Sequence, residues 1–426
     1  MAGPEYLCKE PHVVLEFKEW LEENGALMHE SVYFQKNESG FSVVAKNHVS
    51  PDTTVVSMPF SLAITPELSS RALRSLLQSD RASASLDTWT ERQLICTYIC
   101  MHWILEDDKI ILKHRPYINI LPSPDQLRTP LHFTPEELEL FRGSNLYWAT
   151  LDRRDQWRTE WQQCQAALSE ESPQWAAEFT WERYLTAATY LSSRAFPSTL
   201  LSSHPTILAS SGSHPVLLPG IDSFNHARGQ PVSWIVSDPS PPSRSESSIS
   251  LVLHKTTEKG GELLNNYGLK PNAELILGYG FSLSHNPDDT IVLKIGGQSS
   301  DNYRFEVGRG ASGIEPLWQV VLHAVNGGKD DYDDPSDAVK DELYAAGLLG
   351  DMAETLYNQL PAGEIPSGKT IRPEVVTMLD HYLEGQRDII QAIINYAREK
   401  ETKALESAEA QDLSSIDEDE EEPTDT

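Results

Sequence analysis

Two stretches decide how this chain folds: Leu218-Pro219-Gly220-Ile221-Asp222-Ser223-Phe224-Asn225-His226, and Asn265-Asn266-Tyr267-Gly268-Leu269-Lys270-Pro271-Asn272-Ala273-Glu274-Leu275, which continues through Leu277-Gly278-Tyr279-Gly280-Phe281. Each follows an apolar, strand-like run and then turns polar and aromatic where a β core should stay apolar. Asn225 and His226 are expensive to bury without partners, and local rule-breaking of this kind marks functional positions. In the second stretch two tyrosines, Tyr267 and Tyr279, flank one short helix. A third segment, Glu38-Ser39-Gly40-Phe41-Ser42, leads into the strand Val43-Val44-Ala45. Gly40 is either an ordinary turn glycine or a point where the backbone approaches a ligand closely.

Working outward, Val13, Phe17, Trp20 and Leu21 fall on one face of an opening helix that ends at Asn24-Gly25. The runs Phe41 to Ala45 and Thr53 to Met58, separated by Ser50-Pro51-Asp52, predict a hairpin-like antiparallel pair. From about 66 to 191 the pattern is helical, with Thr134-Pro135-Glu136-Glu137 as a capping box. Short β-like runs return at Val216 to Leu218, Val232 to Val236, Ile249 to Leu253 and Leu263 to Asn266, so one β unit is split by a long helical insert. A mobile loop is expected at Asp238-Pro239-Ser240-Pro241-Pro242-Ser243 and the serines that follow.

After about Leu283 the pattern is helical again, with a stripe Leu317, Val320, Val321, Ala324 before a Gly327-Gly328 stop. The last element, from Pro373 to about Leu405, carries Val376, Leu379, Leu383, Ile390, Ile393 and Ala397 on one side and is interrupted by Gly385. The expected fold class is therefore α+β: a β-rich core with a helical insert over 1–283 (insert about 66–191), an all-helical C-terminal domain over 284–405, and an acidic disordered tail over 406–426.

The chain has 426 residues, above the size at which a single core usually stops growing, and 39% of them are hydrophobic. No apolar run approaches the roughly 20 residues that span a bilayer, and the N-terminus reads as neither a secretory nor an organellar leader, so a soluble cytoplasmic or nuclear protein without membrane contact is expected. The net charge of −30 argues against a nucleic-acid partner and favours a basic one, although Asp417 to Glu422 supplies part of it. Cys8, Cys96, Cys100 and Cys164 form neither a disulfide framework nor a zinc pattern, and Cys96 and Cys100, one turn apart, read as small apolar residues of a buried helix face. His102, His114, His132, His204 and His214 have no ligand spacing, so no metal is implied. Ser210-Ser211-Gly212-Ser213 and Gly308-Arg309-Gly310 lack the nucleophile-elbow and P-loop patterns.

The order of the pieces resembles the SET-domain protein lysine methyltransferases, above all the Rubisco large-subunit and fungal ribosomal-protein lysine methyltransferase subgroup. The resemblance runs from the Gly40 hairpin through Ser193-Arg194-Ala195-Phe196 to Asp222-Ser223-Phe224-Asn225-His226, then to Asn266-Tyr267-Gly268 with Asn272, Glu274 and Tyr279-Gly280-Phe281. It implies S-adenosyl-L-methionine as cofactor, held by Gly40, Phe41, Arg194, Asp222, Asn225, His226 and Tyr267, with Tyr267 as the catalytic residue beside the target lysine. It leaves Tyr279 and Phe281 as either substrate-channel or packing residues, and makes the helical C-terminal domain over 284–405 the one expected to bind substrate. Two departures stand out: Gly40-Phe41-Ser42 replaces the Gly-x-Gly of many relatives, and no cysteine-rich zinc cap follows Tyr279.

The activity so implied is methyl transfer from the sulfonium to a protein lysine, with a ribosomal or translation-associated protein as the first expected substrate and histones, also basic, as the second. In-line displacement needs a neutral amine, and a desolvated aromatic channel beside a cation lowers the lysine pKa from its reference of about 10.4. Arg194 would fork onto the cofactor carboxylate. A histidine acceptor on the same fold and a catalytically silent SET-like module that binds a basic protein are the alternatives, and retention of Tyr267 with Asn225-His226 argues against the second.

Overall fold

A computed structural model describes residues 9–105, 111–202, 204–208, 210–239, 246–295, 303–329, 335–365, 368 and 370–418. The contacts divide the chain into two compact units. One comprises Met1–His132, Thr150–Leu269 and Leu277–Gly280; the other comprises Phe133–Ala149, Lys270–Ile276 and Phe281–Thr426.

The first unit opens with the helix His12–Glu23, whose Val14, Phe17, Trp20 and Leu21 are buried, and Asn24 caps its C-terminus as the spacing predicts. Four strands follow: β1 (Leu27–Met28), β2 (Val32–Asn37), β3 (Gly40–Ala45) and β4 (Thr53–Pro59). β3 and β4 occur where expected but do not pair with each other. β3 runs antiparallel to β2, with Asn37 opposite Gly40, whereas β4 lies between β1 and a later strand. The pairing is decided by long-range burial, since β4 is buried on both faces from Val55 to Pro59 and needs a partner on each edge. Later strands are β5 (Phe196–Pro197), β6 (Pro215–Val216), β7 (Val232–Ser237) and β8 (Ser248–Leu253). The main antiparallel sheet has the order β1-β4-β8-β7, and β5 pairs with β6. β8, the wholly buried strand Ser-Ile-Ser-Leu-Val-Leu, sits at its centre. Residues 263–266 form no strand; among them Asn265 makes a single isolated bridge, to His226. The loop expected around Pro239 falls largely on 240–245, outside the described residues.

The helical insert interrupts this β unit as expected. Its helices include Pro66–Leu76, Glu91–Ile104, Arg115–Ile120, Asn145–Glu171 and Trp181–Arg194. Thr65, Thr90 and Thr180 each accept a backbone N–H in the first turn of their helix, which satisfies otherwise unpaired donors. Phe17, Tyr98, Tyr117, Trp157 and Tyr184 are fully buried in one core together with Val56, Met58 and Leu251. Cys96, Cys100 and Cys164 are free and buried, and burial pushes their thiols up. Of the isolated histidines, His102 and His114 lie buried against Tyr98, the latter within 2.6 Å of the Tyr98 hydroxyl.

The C-terminal unit is not all-helical. Thr290–Ile295 (β9) and Tyr303–Gly308 (β10) form an antiparallel ribbon from Tyr303 opposite Ile295 to Gly308 opposite Thr290. Helices Glu315–Val325, Pro335–Gln359 and Pro373–Glu418 follow. Thr134 and Glu137 make the expected reciprocal capping box. The last helix starts at Pro373 as expected but continues beyond Leu405 to Glu418. The apolar stripe stops there, yet Ala, Glu, Lys and Gln keep the helical propensity high. The acidic residues 419–426 lie outside the described residues. Gly385, an interruption in the sequence pattern, sits in this helix where a Cβ would come within 2.3 Å of Asp289 Oδ2.

Candidate active site

The site is assembled in the first unit from chain segments that pair at their ends. Leu263 N–H donates to Val43 O (2.8 Å) and Ala45 N–H to Gly261 O (2.8 Å), which lays 261–263 along β3. The same segment then meets the one after Phe224: Asn265 N–H donates to Asn225 O (2.7 Å) and Ala227 N–H to Asn265 O (2.9 Å). His226 and Asn265 form a parallel bridge. The two polar motifs that break the strand pattern are therefore hydrogen-bonded to each other through their backbones, while the Asn225 side chain is exposed and that of His226 half-buried, so neither is the fully buried polar group that the strand pattern suggested.

Gly40 opens β3 at φ 122°, where a Cβ would also lie 3.1 Å from Pro122 Cγ, so only glycine suits it. Phe41, half-buried, packs edge-on against Phe34 at 6.2 Å between ring centroids. Ser42, in place of a second glycine, accepts from Asn37 Nδ2 at 2.7 Å and from Asn225 Nδ2 at 3.4 Å. Asn225 is exposed, and its Nδ2 also donates to Glu262 Oε1 at 2.8 Å.

Arg194 ends the helix Trp181–Arg194, and its Nη1 donates to the backbone oxygen of Asp222 at 3.0 Å and lies 3.7 Å from Asp222 Oδ2. The Arg194 side chain retains 22% exposure while that of Asp222 has none. Among the described residues the guanidinium makes no other hydrogen bond, so most of its donors are uncommitted. Asp222 Oδ2 accepts from the Tyr117 hydroxyl at 2.6 Å, and Asp222 Oδ1 has no hydrogen-bond partner among the described residues. Burial raises the Asp222 carboxyl above the usual carboxylate range, and Arg194 and Tyr117 only partly oppose this. For Arg194 burial disfavours the charge, but Asp222 and the surrounding tyrosines hold its pKa above the ordinary value.

Tyr267 stacks between His226, at 5.1 Å between ring centroids, and Tyr279, at 5.3 Å. Its backbone N–H donates to His226 Nδ1 at 3.0 Å, which makes that nitrogen the acceptor, and its hydroxyl donates to Phe224 O at 2.9 Å. Burial raises the phenol pKa, so the hydroxyl keeps its proton near neutrality. Tyr279 ends a π-helical turn, Leu275–Tyr279, of a kind frequent at functional sites.

The structure thus places Arg194, Asp222, Asn225, His226, Tyr267 and Tyr279 in one unit, with the Gly40-Phe41-Ser42 strand tied to Asn225. Phe281, half-buried, belongs to the C-terminal unit, so the two aromatic residues paired in the sequence reading are divided between units. Sequence reasoning missed Tyr117 and Glu262. Tyr117 lies within an ordinary amphipathic turn of the insert, and Glu262 within a polar turn, so neither carried a local signal.

A β unit interrupted by a helical insert, with two polar segments hydrogen-bonded to each other, is an α+β architecture, and the comparisons with known proteins specify it further. No family model matches the chain. Solved structures that match it include the SET domain of LSMT bound to lysine and AdoHcy, with a TM-score of 0.72, 16% identity and 92% of each chain covered. Rubisco LSMT bound to AdoMet matches with a TM-score of 0.69, 17% identity, and 92% of this chain and 93% of that one. The chain has the SET-domain fold. In sequence it is similar to the ribosomal lysine N-methyltransferase set10 of Schizosaccharomyces pombe, 34% identical over 279 residues, covering 64% of this chain and 46% of that protein. The chain spans about half the length of the curated relatives it matches.

Proposed function

We propose that this chain is an S-adenosyl-L-methionine-dependent protein-lysine N-methyltransferase. The observation that carries the reading is Tyr267, stacked between two aromatic rings with its hydroxyl anchored on Phe224 O. The relatives named for lysine methylation, and the LSMT structures with AdoMet, AdoHcy and lysine, support it.

The residues present fit such a cofactor. Arg194 is charged, partly open and has donors to spare, which suits a carboxylate. Asn225 and Glu262 offer acceptors for an ammonium, and Gly40 keeps a stretch of backbone without a side chain. The bound cofactor supplies an electrophilic methyl on a sulfonium. The protein has to present a neutral amine in line with it. The stacked Tyr267 and Tyr279 rings provide an apolar wall along which a lysine side chain can lose water, which favours the neutral amine. With its proton committed to Phe224 O, the Tyr267 hydroxyl turns lone pairs toward incoming C–H and N–H groups, a weak contact that helps only where charge develops. The phenol is not a base here, because burial keeps it protonated.

We further propose a basic protein substrate of ribosomal or other translation-associated type, in keeping with the charge of −30 and the name of the relative set10. We propose a cytoplasmic or nuclear location, in keeping with three buried, unpaired cysteines. The test is incubation with radiolabelled S-adenosyl-L-methionine and an extract lacking the enzyme, with Tyr267→Phe alongside. Label on one discrete band, absent in the variant and recovered as methyl-lysine, is the expected result. Recovery as methyl-histidine would overturn the acceptor, and neither label nor cofactor binding would leave a silent binding module.

A further inference from the structure

The buried carboxyl of Asp222 poses a question that the cofactor reading alone does not answer. It is wholly buried, yet Oδ1 has no partner among the described residues and Oδ2 is 3.7 Å from the nearest guanidinium nitrogen. Its one short hydrogen bond comes from Tyr117, 105 residues away in the helical insert. Asp222 is itself held at the backbone, where its N–H donates to Leu218 O at 3.1 Å and its carbonyl accepts Arg194 at 3.0 Å. The Tyr117 ring is fixed in the core, 6.3 Å from Phe17, and Phe17 is edge-on to Phe34 at 6.1 Å. The hydroxyl therefore has little freedom to choose another acceptor.

We propose that Tyr117 is a positioning residue for cofactor binding: from the helical insert it fixes the Asp222 carboxyl, and through Asp222 it sets the direction of the Arg194 guanidinium. This inference rests on the proposed function, in which Arg194 receives the cofactor carboxylate. Among the described residues Arg194 makes one hydrogen bond with its guanidinium, to the carbonyl of the residue whose side chain Tyr117 holds. A long, flexible arginine side chain with one anchor samples many directions, and a second electrostatic contact at a fixed point narrows them. Preorganisation of this kind raises affinity by removing an ordering cost. A purely structural role for Tyr117, joining insert to β core, would need the hydrogen bond for folding but not for ligand affinity.

Calorimetric titration with S-adenosyl-L-methionine separates the two. Tyr117→Phe keeps the buried ring and removes only the hydroxyl; a hydrogen bond to a charged group is at stake, so binding should weaken about tenfold. Under assay conditions the apparent KM for the cofactor should rise by a similar factor with kcat little changed. The control is Tyr184→Phe, which removes a comparably buried hydroxyl that donates to Glu160 at 3.1 Å in the same insert. That variant should lower Tm to a similar extent and leave cofactor affinity unchanged. Wild-type affinity in Tyr117→Phe would overturn the inference alone, and so would an equal loss in both variants. If the wild-type chain itself failed to bind the cofactor, the proposed function would fall and the inference with it.

Discussion

The buried carboxyls Glu137 and Asp289 of the C-terminal unit and Asp222 of the first unit are built in opposite ways. In the C-terminal unit Glu137, 1% exposed, receives Arg372 at 2.6 and 2.8 Å through two guanidinium nitrogens, the Arg372 backbone N–H at 3.1 Å, and the Thr134 N–H at 3.0 Å. Asp289 in the same unit is equally well supplied, by the Asn272 N–H at 2.7 Å, Asn272 Nδ2 at 3.1 Å and Arg309 Nη2 at 3.2 Å. In the first unit Asp222 has one hydroxyl, a distant guanidinium and an oxygen with no partner among the described residues. A saturated site has nothing left to offer a ligand and holds structure together. An undersupplied one, beside an arginine with spare donors, is where binding can complete the pairing.

The largest effect should follow from breaking a saturated site. Arg372→Ala strands a buried carboxylate, and loss of one partner of such a pair costs about 3–5 kcal/mol, read as a fall in denaturant midpoint of the C-terminal unit. Burial opposes ionisation of Glu137, but its hydrogen bonds from Arg372 and Thr134 hold its pKa below the ordinary carboxylate value. Its stabilising contribution is therefore present above the unfolded pKa of about 4.3 and lost as pH falls through the lower folded value. The gap between wild type and Arg372→Ala should close over that acidic window. A gap independent of pH would mean that packing, not charge, makes the difference.

Arg194→Ala, in the undersupplied site, should behave the other way round. Cofactor binding should weaken by about 1.5–3 kcal/mol, the range for a hydrogen bond to a charged group, while stability changes less than in Arg372→Ala. Equal destabilisation by the two substitutions would erase the distinction between the sites. The smallest effect is expected from Asn225→Ala. Its side chain is exposed, so Tm should move by less than about 0.5 kcal/mol equivalent, with affinity reduced by roughly 1 kcal/mol for a neutral hydrogen bond. Unchanged affinity by calorimetry would remove Asn225 from the cofactor site.

Much of the local structure was legible because it depends on near neighbours. The opening helix, the capping box at Thr134 and Glu137, the start of the last helix at Pro373 and the strand segments β3, β4, β7 and β8 follow from periodicity, capping and β-branched runs. Strand partners were not legible: β3 pairs with β2 and β4 with β1 and β8, because pairing is chosen by which edges and faces burial leaves unmet. The ribbon β9-β10 was overlooked, since short apolar runs look alike in strands and helices until their partners are known. Gly385 looked like a flaw in a helix until Asp289 was seen against it.

The site divides in the same way. Asn225-His226 and Tyr267 drew notice in the sequence because polar and aromatic residues at the ends of apolar elements break a local rule, whereas Arg194 entered only through the resemblance to the SET-domain enzymes. Tyr117 obeyed every local rule, and only the folded chain brings its hydroxyl to 2.6 Å from Asp222. The order of motifs along the chain pointed to the SET fold and to the residues proposed for the site. The tertiary structure decided which carboxyl is saturated and which is left short, because hydrogen bonds between residues a hundred positions apart are selected by the packing of the whole core.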